Sequence, residues 1–140
     1  MHTVGKNIPH DSAVGHVTGE ALYLDDLPRQ AGELYIEIAG SPCASGRILG
    51  VDLTEARKVE GVVALITAAD IPGRNRYGAV ICDEPILAEE EVSYIGQPVV
   101  AIAAETQEAA RRARAAVRIN VEEKRPCLTI DQAIAVDSWI

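Results

Sequence analysis

Phenylalanine is missing from this chain of 140 residues, tryptophan occurs once, and aromatic residues make up only 4% of it. The interior must therefore be filled by the alanine, valine, isoleucine and leucine that dominate a hydrophobic content of 48%. Cysteine is scarce: Cys43, Cys82 and Cys127 stand 39 and 45 residues apart, an odd set that forms neither a disulfide framework nor a CxxC metal knuckle. That usage points to a reducing cytoplasm. Basic charge is also short, with 13 Lys and Arg against 21 Asp and Glu and a net charge of −8. Binding to nucleic acid or to an anionic membrane surface needs clustered Lys and Arg, so neither is expected as a partner. No apolar run reaches the ~18 residues of a membrane span. The first ten residues lack the apolar stretch of an export signal, and neither GxGxxG nor GxxxxGKS is present to cradle a phosphate.

What remains is enough chain for one self-sufficient core. Residues 1–32 are rich in Gly, His, Pro and Asp without a period of 2 or 3.6, and read as an extended N-terminal arm with turns. So little apolar content is expected to lie against a neighbouring domain. Residues 33–140 read as a small α/β domain. Strands are expected over Leu34–Ala39 and Gly46–Asp52, then a one-turn helix capped by Thr54 and stopped at Gly61, then a strand Val62–Ile66 buried on both faces. Thr67 to Leu87 reads as a polar loop with at most one short strand near Val80-Ile81. Val92–Tyr94 and Val99–Ala104 flank a turn at Gly96-Gln97-Pro98, and Thr106 opens a helix Gln107–Ala116 whose alanines 109, 110, 113 and 116 share a stripe. A strand Val117–Glu122 and a short helix Ile130–Ala135 follow. The alternation predicts a small mixed sheet with two crossovers and two or three short helices.

Candidate sites are few. His10, Asp11, His16, Glu20, Asp25 and Asp26 carry metal-ligand chemistry, but sit on an arm without rigid spacing and read as surface polarity, with Asp25-Asp26 closing a turn. Asp83-Glu84 and Glu89-Glu90-Glu91 offer carboxylates for acid and base work, yet a run of like charge reads as a solvated face. The cysteines have no histidine in a partnering motif and read as structural thiols. The sharpest turn signature is Tyr94-Ile95-Gly96-Gln97-Pro98, in which Gln97 is either a turn residue or a polar contact to a ligand or a neighbouring domain.

The order of motifs carries more than any one of them. Val4-Gly-Lys-Asn-Ile-Pro-His10, His16-Val-Thr-Gly-Glu-Ala21, Tyr23-Leu-Asp-Asp-Leu-Pro28, Gly46-Arg-Ile48 before Asp52, Ala69-Asp-Ile-Pro-Gly73 with Asn75, Asp83-Glu84, Tyr94-Ile-Gly-Gln-Pro98, Ala103-Ala-Glu-Thr106 and Ala109-Ala-Arg with Val117 run in sequence from Val4 to about Ala135. Together they resemble the opening of the molybdenum-binding part of the xanthine dehydrogenase and aldehyde oxidase family, the α/β-hammerhead domain. One departure is Ala44-Ser45, where family members usually carry Ala-His.

The resemblance implies a complete enzyme that oxidises hypoxanthine to xanthine and xanthine to urate with a molybdopterin cofactor, two 2Fe–2S clusters and FAD. Its catalytic and cofactor residues lie in parts that this segment does not match, so no catalytic, cofactor-binding or metal residue is assigned here. The segment is expected to be inactive alone, with the remaining molybdenum-binding domains and the FAD and iron–sulfur parts as partners. Alternatives are a domain of an aldehyde oxidase or carbon-monoxide-dehydrogenase-like hydroxylase, and a non-catalytic interaction module. The apolar end Trp139-Ile140 is expected to meet a partner surface.

Overall fold

The computed structural model of the chain describes residues 4–137, so the expectation for Trp139-Ile140 lies outside the described residues. The chain divides into two units after Glu33.

In the first unit no described residue is buried. The irregular reading needs correction, because helix α1 spans Ala13–Thr18 and a 3-10 turn spans Leu24–Asp26. At six residues α1 is too short to display a helical period. It closes on Gly19 at φ +78°, where the Gly15 carbonyl accepts from the Gly19 amide. Asp26 Oδ2 accepts from the Tyr23 amide at 3.0 Å, so the Asp25-Asp26 turn forms as read. His10 and His16 are engaged locally, His10 with Ser12 Oγ at 2.9 Å and His16 with the Tyr23 hydroxyl at 3.2 Å.

The second unit holds β1 (Tyr35–Gly40), β2 (Gly46–Asp52), β3 (Val62–Ile66), β4 (Arg76–Tyr77), β5 (Glu84–Pro85), β6 (Glu91–Val92), β7 (Pro98–Ala104), α2 (Gln107–Ala116), β8 (Arg118–Glu123) and α3 (Ile130–Ala135). Three sheets result, ordered β1-β7-β3, β6-β2-β8 and β4-β5. Every strand pair among them is antiparallel, which corrects the mixed sheet. Neither expected crossover returns to its own sheet. The chain passes from β2 in one three-stranded sheet to β3 in the other, and from β7 through α2 to β8 in the opposite direction. Local alternation of strand and helix looks the same whether the next strand joins the same sheet or another.

β7 is the centre of the fold. It pairs on both edges, Ile102 facing Glu37 of β1 and Leu65 of β3, and Val99, Val100, Ile102, Ala103 and Ala104 are buried. β3 departs from its expectation, since Val63 is 56% and Ile66 37% exposed. As an edge strand it packs one face only, so an unbroken apolar run does not require two covered faces. The strand near Val80-Ile81 is also corrected: both residues are exposed in the connection between β4 and β5.

Two threonines that looked alike behave differently. Thr106 caps α2, its Oγ1 accepting from the Ala109 amide at 3.1 Å. Thr54 caps nothing; its amide donates to Asp52 Oδ1 at 2.8 Å, and a 3-10 turn forms over Ala56–Lys58 without a side-chain cap. The α2 stripe faces inward as expected, with Ala109, Ala110 and Ala113 buried and Ala116 partly so. On its outer side Arg111 and Arg114 approach Glu37 at 3.6 and 3.5 Å. Both arginines are mostly exposed, and such pairs contribute about 0–1 kcal/mol, so the alanine contact holds the helix to the sheet. Among the described residues no helix is long and apolar enough to cross a membrane.

Two predictions follow from this packing. Ala110 is wholly buried, so Ala110→Leu forces α2 off the sheet and is expected to cost about 1–3 kcal/mol; an unchanged denaturation midpoint would place the stripe elsewhere. Asp70 Oδ2 accepts from both the amide and the hydroxyl of Thr67 at 2.8 Å, and these bonds lower its pKa from the ordinary 3.8. A lowered carboxyl stabilises the fold above its unfolded pKa, and that stability disappears as pH falls through the folded value. Asp70→Asn is therefore expected to lower stability at neutral pH, where the ionised carboxylate contributes, and to reduce the further loss of melting temperature between about pH 5 and pH 3, read by thermal denaturation across that range.

Candidate functional site

The β6–β7 connection is the turn that its residues require. The Gln97 amide donates to the Tyr94 carbonyl at 3.2 Å, and Gly96 sits at φ +82°, the left-handed conformation demanded at the third position of a type II turn. Pro98 keeps Gln97 extended and opens β7. The turn is then tied to the end of β1. Gly96 N donates to the Ser41 carbonyl and Ser41 N to the Gln97 carbonyl, both at 2.9 Å. The approach is so close that a Cβ on Gly40 would stand 2.5 Å from the Gly96 carbonyl oxygen.

Ser41 and Gln97 are the two buried polar residues among those described, and both serve this junction. Ser41 Oγ donates to the Cys43 carbonyl at 2.7 Å and accepts from the Cys43 amide at 3.2 Å. Gln97 folds back over its own turn, and its Oε1 accepts from the Ser93 amide at 2.6 Å. The turn role of Gln97 is thus present in full. Gln97 also lines a cleft of about 740 Å³. Sequence reasoning missed Ser41, because a serine beside Gly40 and Pro42 reads as ordinary turn composition.

Asn75 lines the same cleft. Its Nδ2 donates to the Leu87 carbonyl at 2.7 Å and its Oδ1 accepts from the Leu87 amide at 3.0 Å, so one side chain replaces a strand partner across twelve residues. Arg76 Nη1 donates to the Asp83 carbonyl at 2.9 Å beside it. Of the carboxylates expected on a solvated face, Glu84 raises the pKa of Tyr77 through a side-chain hydrogen bond. Glu91 binds Lys124 Nζ at 2.5 Å, which lowers its own pKa. The carboxyls whose pKa departs from the ordinary value, Asp52, Asp70 and Glu91, are all lowered. A general acid needs the opposite shift.

The donor set does not fit the cofactors implied by the family resemblance. An iron–sulfur cluster takes four protein ligands, typically thiolates, whereas Cys43 is buried and Cys82 and Cys127 are exposed, all three free. Among the described residues there is no cluster of His, Cys, Asp and Glu able to hold a metal ion, and no buried side-chain nitrogen or oxygen lacking a hydrogen-bond partner that a pterin would satisfy. Cys43 Sγ lies 3.8 Å from Ser41 Oγ and 3.7 Å from the Ser45 carbonyl, a structural position. At the Ala44-Ser45 departure, the Ser45 carbonyl also accepts from the Lys124 amide at 2.9 Å, a contact that any residue there would make.

The junction yields a paired prediction. Gly40→Ala places a methyl against backbone that cannot yield and is expected to cost about 1–3 kcal/mol. Gln97→Ala removes the acceptor of the part-buried Ser93 amide bond and is expected to cost about 0.5–1.5 kcal/mol, whereas Gln97→Glu keeps an oxygen for that amide but puts a charge at a buried position beside the cleft carboxylates and is expected to cost more. Chemical denaturation of the three variants tests this order; a Gln97→Ala protein as stable as the parent would remove the Ser93 bond from the account.

Comparison with known proteins places this geometry. The family model described as aldehyde oxidase and xanthine dehydrogenase, a/b hammerhead domain, matches residues 18–125. The chain is 42% identical over 138 residues to a xanthine dehydrogenase/oxidase of Gallus gallus, covering 99% of this chain and 10% of that protein. It is 41% identical over 138 residues to aldehyde oxidase 2 of Cavia porcellus, covering 98% and 10%. Among solved structures, the aldehyde oxidoreductase from Desulfovibrio desulfuricans superposes with a TM-score of 0.82 at 28% identity, covering 97% of this chain and 16% of that one. The chain therefore spans about a tenth of the length of the curated relatives it matches. With the family model matched over residues 18–125, the chain belongs to the aldehyde oxidase and xanthine dehydrogenase family, as its α/β-hammerhead domain.

Proposed function

We propose that this chain is the N-terminal structural and docking domain of a molybdenum hydroxylase of the xanthine dehydrogenase type. The complete enzyme carries out the oxidative hydroxylation of hypoxanthine and xanthine to urate, and molybdopterin, the 2Fe–2S clusters and FAD are held by its other parts. The observation that carries the reading is the 42% identity to a xanthine dehydrogenase/oxidase along 99% of the chain. The domain supplies architecture. Residues 1–32 act as an arm lying on a neighbouring domain, residues 33–140 as the hammerhead body, and Gln97 as an interdomain contact. The 41% identity to aldehyde oxidase 2 favours a second reading, in which the whole enzyme oxidises an aldehyde. The residues that choose between purine and aldehyde lie outside this domain, so the docking role is common to both.

Two measurements test the proposal. The purified 140-residue chain is expected to form no urate from xanthine, no carboxylic acid from an aldehyde, and to carry no stoichiometric molybdenum, iron or flavin; any of these would overturn it. The Gallus gallus enzyme carrying this chain in place of its matching segment is expected to turn over xanthine, and the same enzyme without the segment is not. Turnover by the deleted enzyme would remove the docking role.

A further inference from the structure

The sheet β1-β7-β3 gives one face to α2 and turns the other outward. Its register sets the outer face in two rows across the three strands, Ile36 with Ala103 and Ala64, then Ile38 with Ala101 and Ile66. The alternate residues Tyr35, Ala104 and Val62 pack with Ala109 and Ala110 of α2, so both rows point away from that helix. Neither row holds a polar side chain. Ile36 is 61% and Ile38 39% exposed, and Ile66 is exposed with them.

The second sheet shows the outward face that water selects. There Arg47 stands opposite Glu122 and Glu91, and Arg118 opposite Asp52, while Ile48, Val51, Ile119 and Val121 turn to the core. A solvated antiparallel sheet alternates in this way. Six adjoining apolar side chains on the outer face of the first sheet mark a contact surface instead.

Shape and area narrow the occupant. Ala101 and Ala103 rise less far from the middle strand than Ile36 and Ile38 of β1 or Ile66 of β3, which leaves a trough along β7. The flanking strands stand about 10 Å apart, the width of one helix. With a β1 of six residues, three strands make a face of about 300 Å² at most, well below the roughly 800 Å² that each partner gives to a stable complex of separate proteins. A second copy of this chain would be held too weakly, whereas a segment of the same polypeptide avoids the cost of free association. The chain spans about a tenth of the length of its curated relatives, so most of such a polypeptide lies beyond it.

We propose that this trough receives one amphipathic helix from the remainder of the enzyme, with leucine-sized side chains at i, i+3, i+4 and i+7 filling the space over Ala101 and Ala103. The proposal rests on the reading of the chain as a docking domain and names what docks and where. It inverts the α2 contact. On the inner face the helix brings alanines to Val100 and Ile102, and on the outer face the sheet brings the alanines, so close packing requires the helix to bring the bulk.

The first test adds a capped helical peptide, with leucines at that spacing and equal numbers of Glu and Lys elsewhere, to the 140-residue chain labelled at its isoleucine methyl groups. The methyl resonances of Ile36, Ile38 and Ile66 are expected to shift, and an isomer with its leucines scattered around the helix to leave them in place. Ile36→Lys with Ile66→Lys, or Ala101→Leu alone, is expected to weaken binding about fivefold or more, while Leu49→Lys with Val80→Lys, a pair exposed elsewhere, weakens it less than about twofold. Unmoved isoleucine methyls, or equal loss with the control pair, would overturn the proposal. The second test places the same variants in the Gallus gallus enzyme carrying this chain. Ile36→Lys with Ile66→Lys is expected to lower the melting temperature of that enzyme more than that of the 140-residue chain, and an equal or smaller drop in the enzyme would overturn the proposal. A dimer of the 140-residue chain in sedimentation, abolished by the same pair, would assign the face to a second copy and overturn it as well. A parent chimaera without turnover removes the docking-domain reading, whereas a working chimaera that is indifferent to these variants removes the helix site alone.

Discussion

The contact between α2 and the sheet is the constraint on which the rest depends. Without phenylalanine, and with Ile102, Val92, Val99 and Val100 as the largest fully buried side chains, the core is thin. Thin cores require close approach, because dispersion and apolar burial both fall away when a gap opens between layers. Ala109, Ala110 and Ala113 supply that approach by putting nothing larger than a methyl group between the helix and the sheet. The antiparallel pairing of β7 with β1 and β3 then gives α2 a surface wide enough to cover.

The second sheet joins the same interior. Ile48 and Val51 of β2 and Ile119 and Val121 of β8 pack from their side against the cluster that holds Val99, Val100 and Ile102. Because the chain changes sheets after β2 and again through α2, each sheet is closed by segments far apart in sequence, and neither has a core of its own. The buried polar groups lie at the junction where the β6–β7 turn meets the end of β1, and there Ser41 and Gln97 satisfy backbone donors and acceptors that two crowded turns leave open. A buried polar side chain is tolerated only when its partners are in place, which makes this junction a fixed point from which the cleft wall projects.

The titratable groups of this domain are set by their local surroundings. Its acidic groups lie mostly at the surface, its resolved carboxyl shifts run downward through local hydrogen bonds and a lysine, and its cysteines are scattered. Such a surface suits docking, where complementary charge sets orientation and selects partners. It is a poor surface for proton transfer, which requires a group held near neutrality in an enclosed site.

The sequence by itself determined whatever rests on neighbours a few residues away. The bounds of β2 and α2, the Thr106 cap, the turn at Gly96 and the short helix after Thr129 are legible because caps, left-handed glycines and a period of 3.6 act within one or two turns of chain. The turn role of Gln97 was legible for the same reason. The tertiary structure alone decided which strands pair, that every pair is antiparallel, that β3 exposes one face, and that Asn75 clasps Leu87 across the loop. Those outcomes depend on partners distant in sequence. A two-residue strand such as β4, β5 or β6 has no period to display, and α1 in the N-terminal unit fits too few residues to announce itself. The cleft belongs to this second class, since Asp83, Glu89 and Gln97 meet only when the folded backbone brings the loop and the turn to the same hollow.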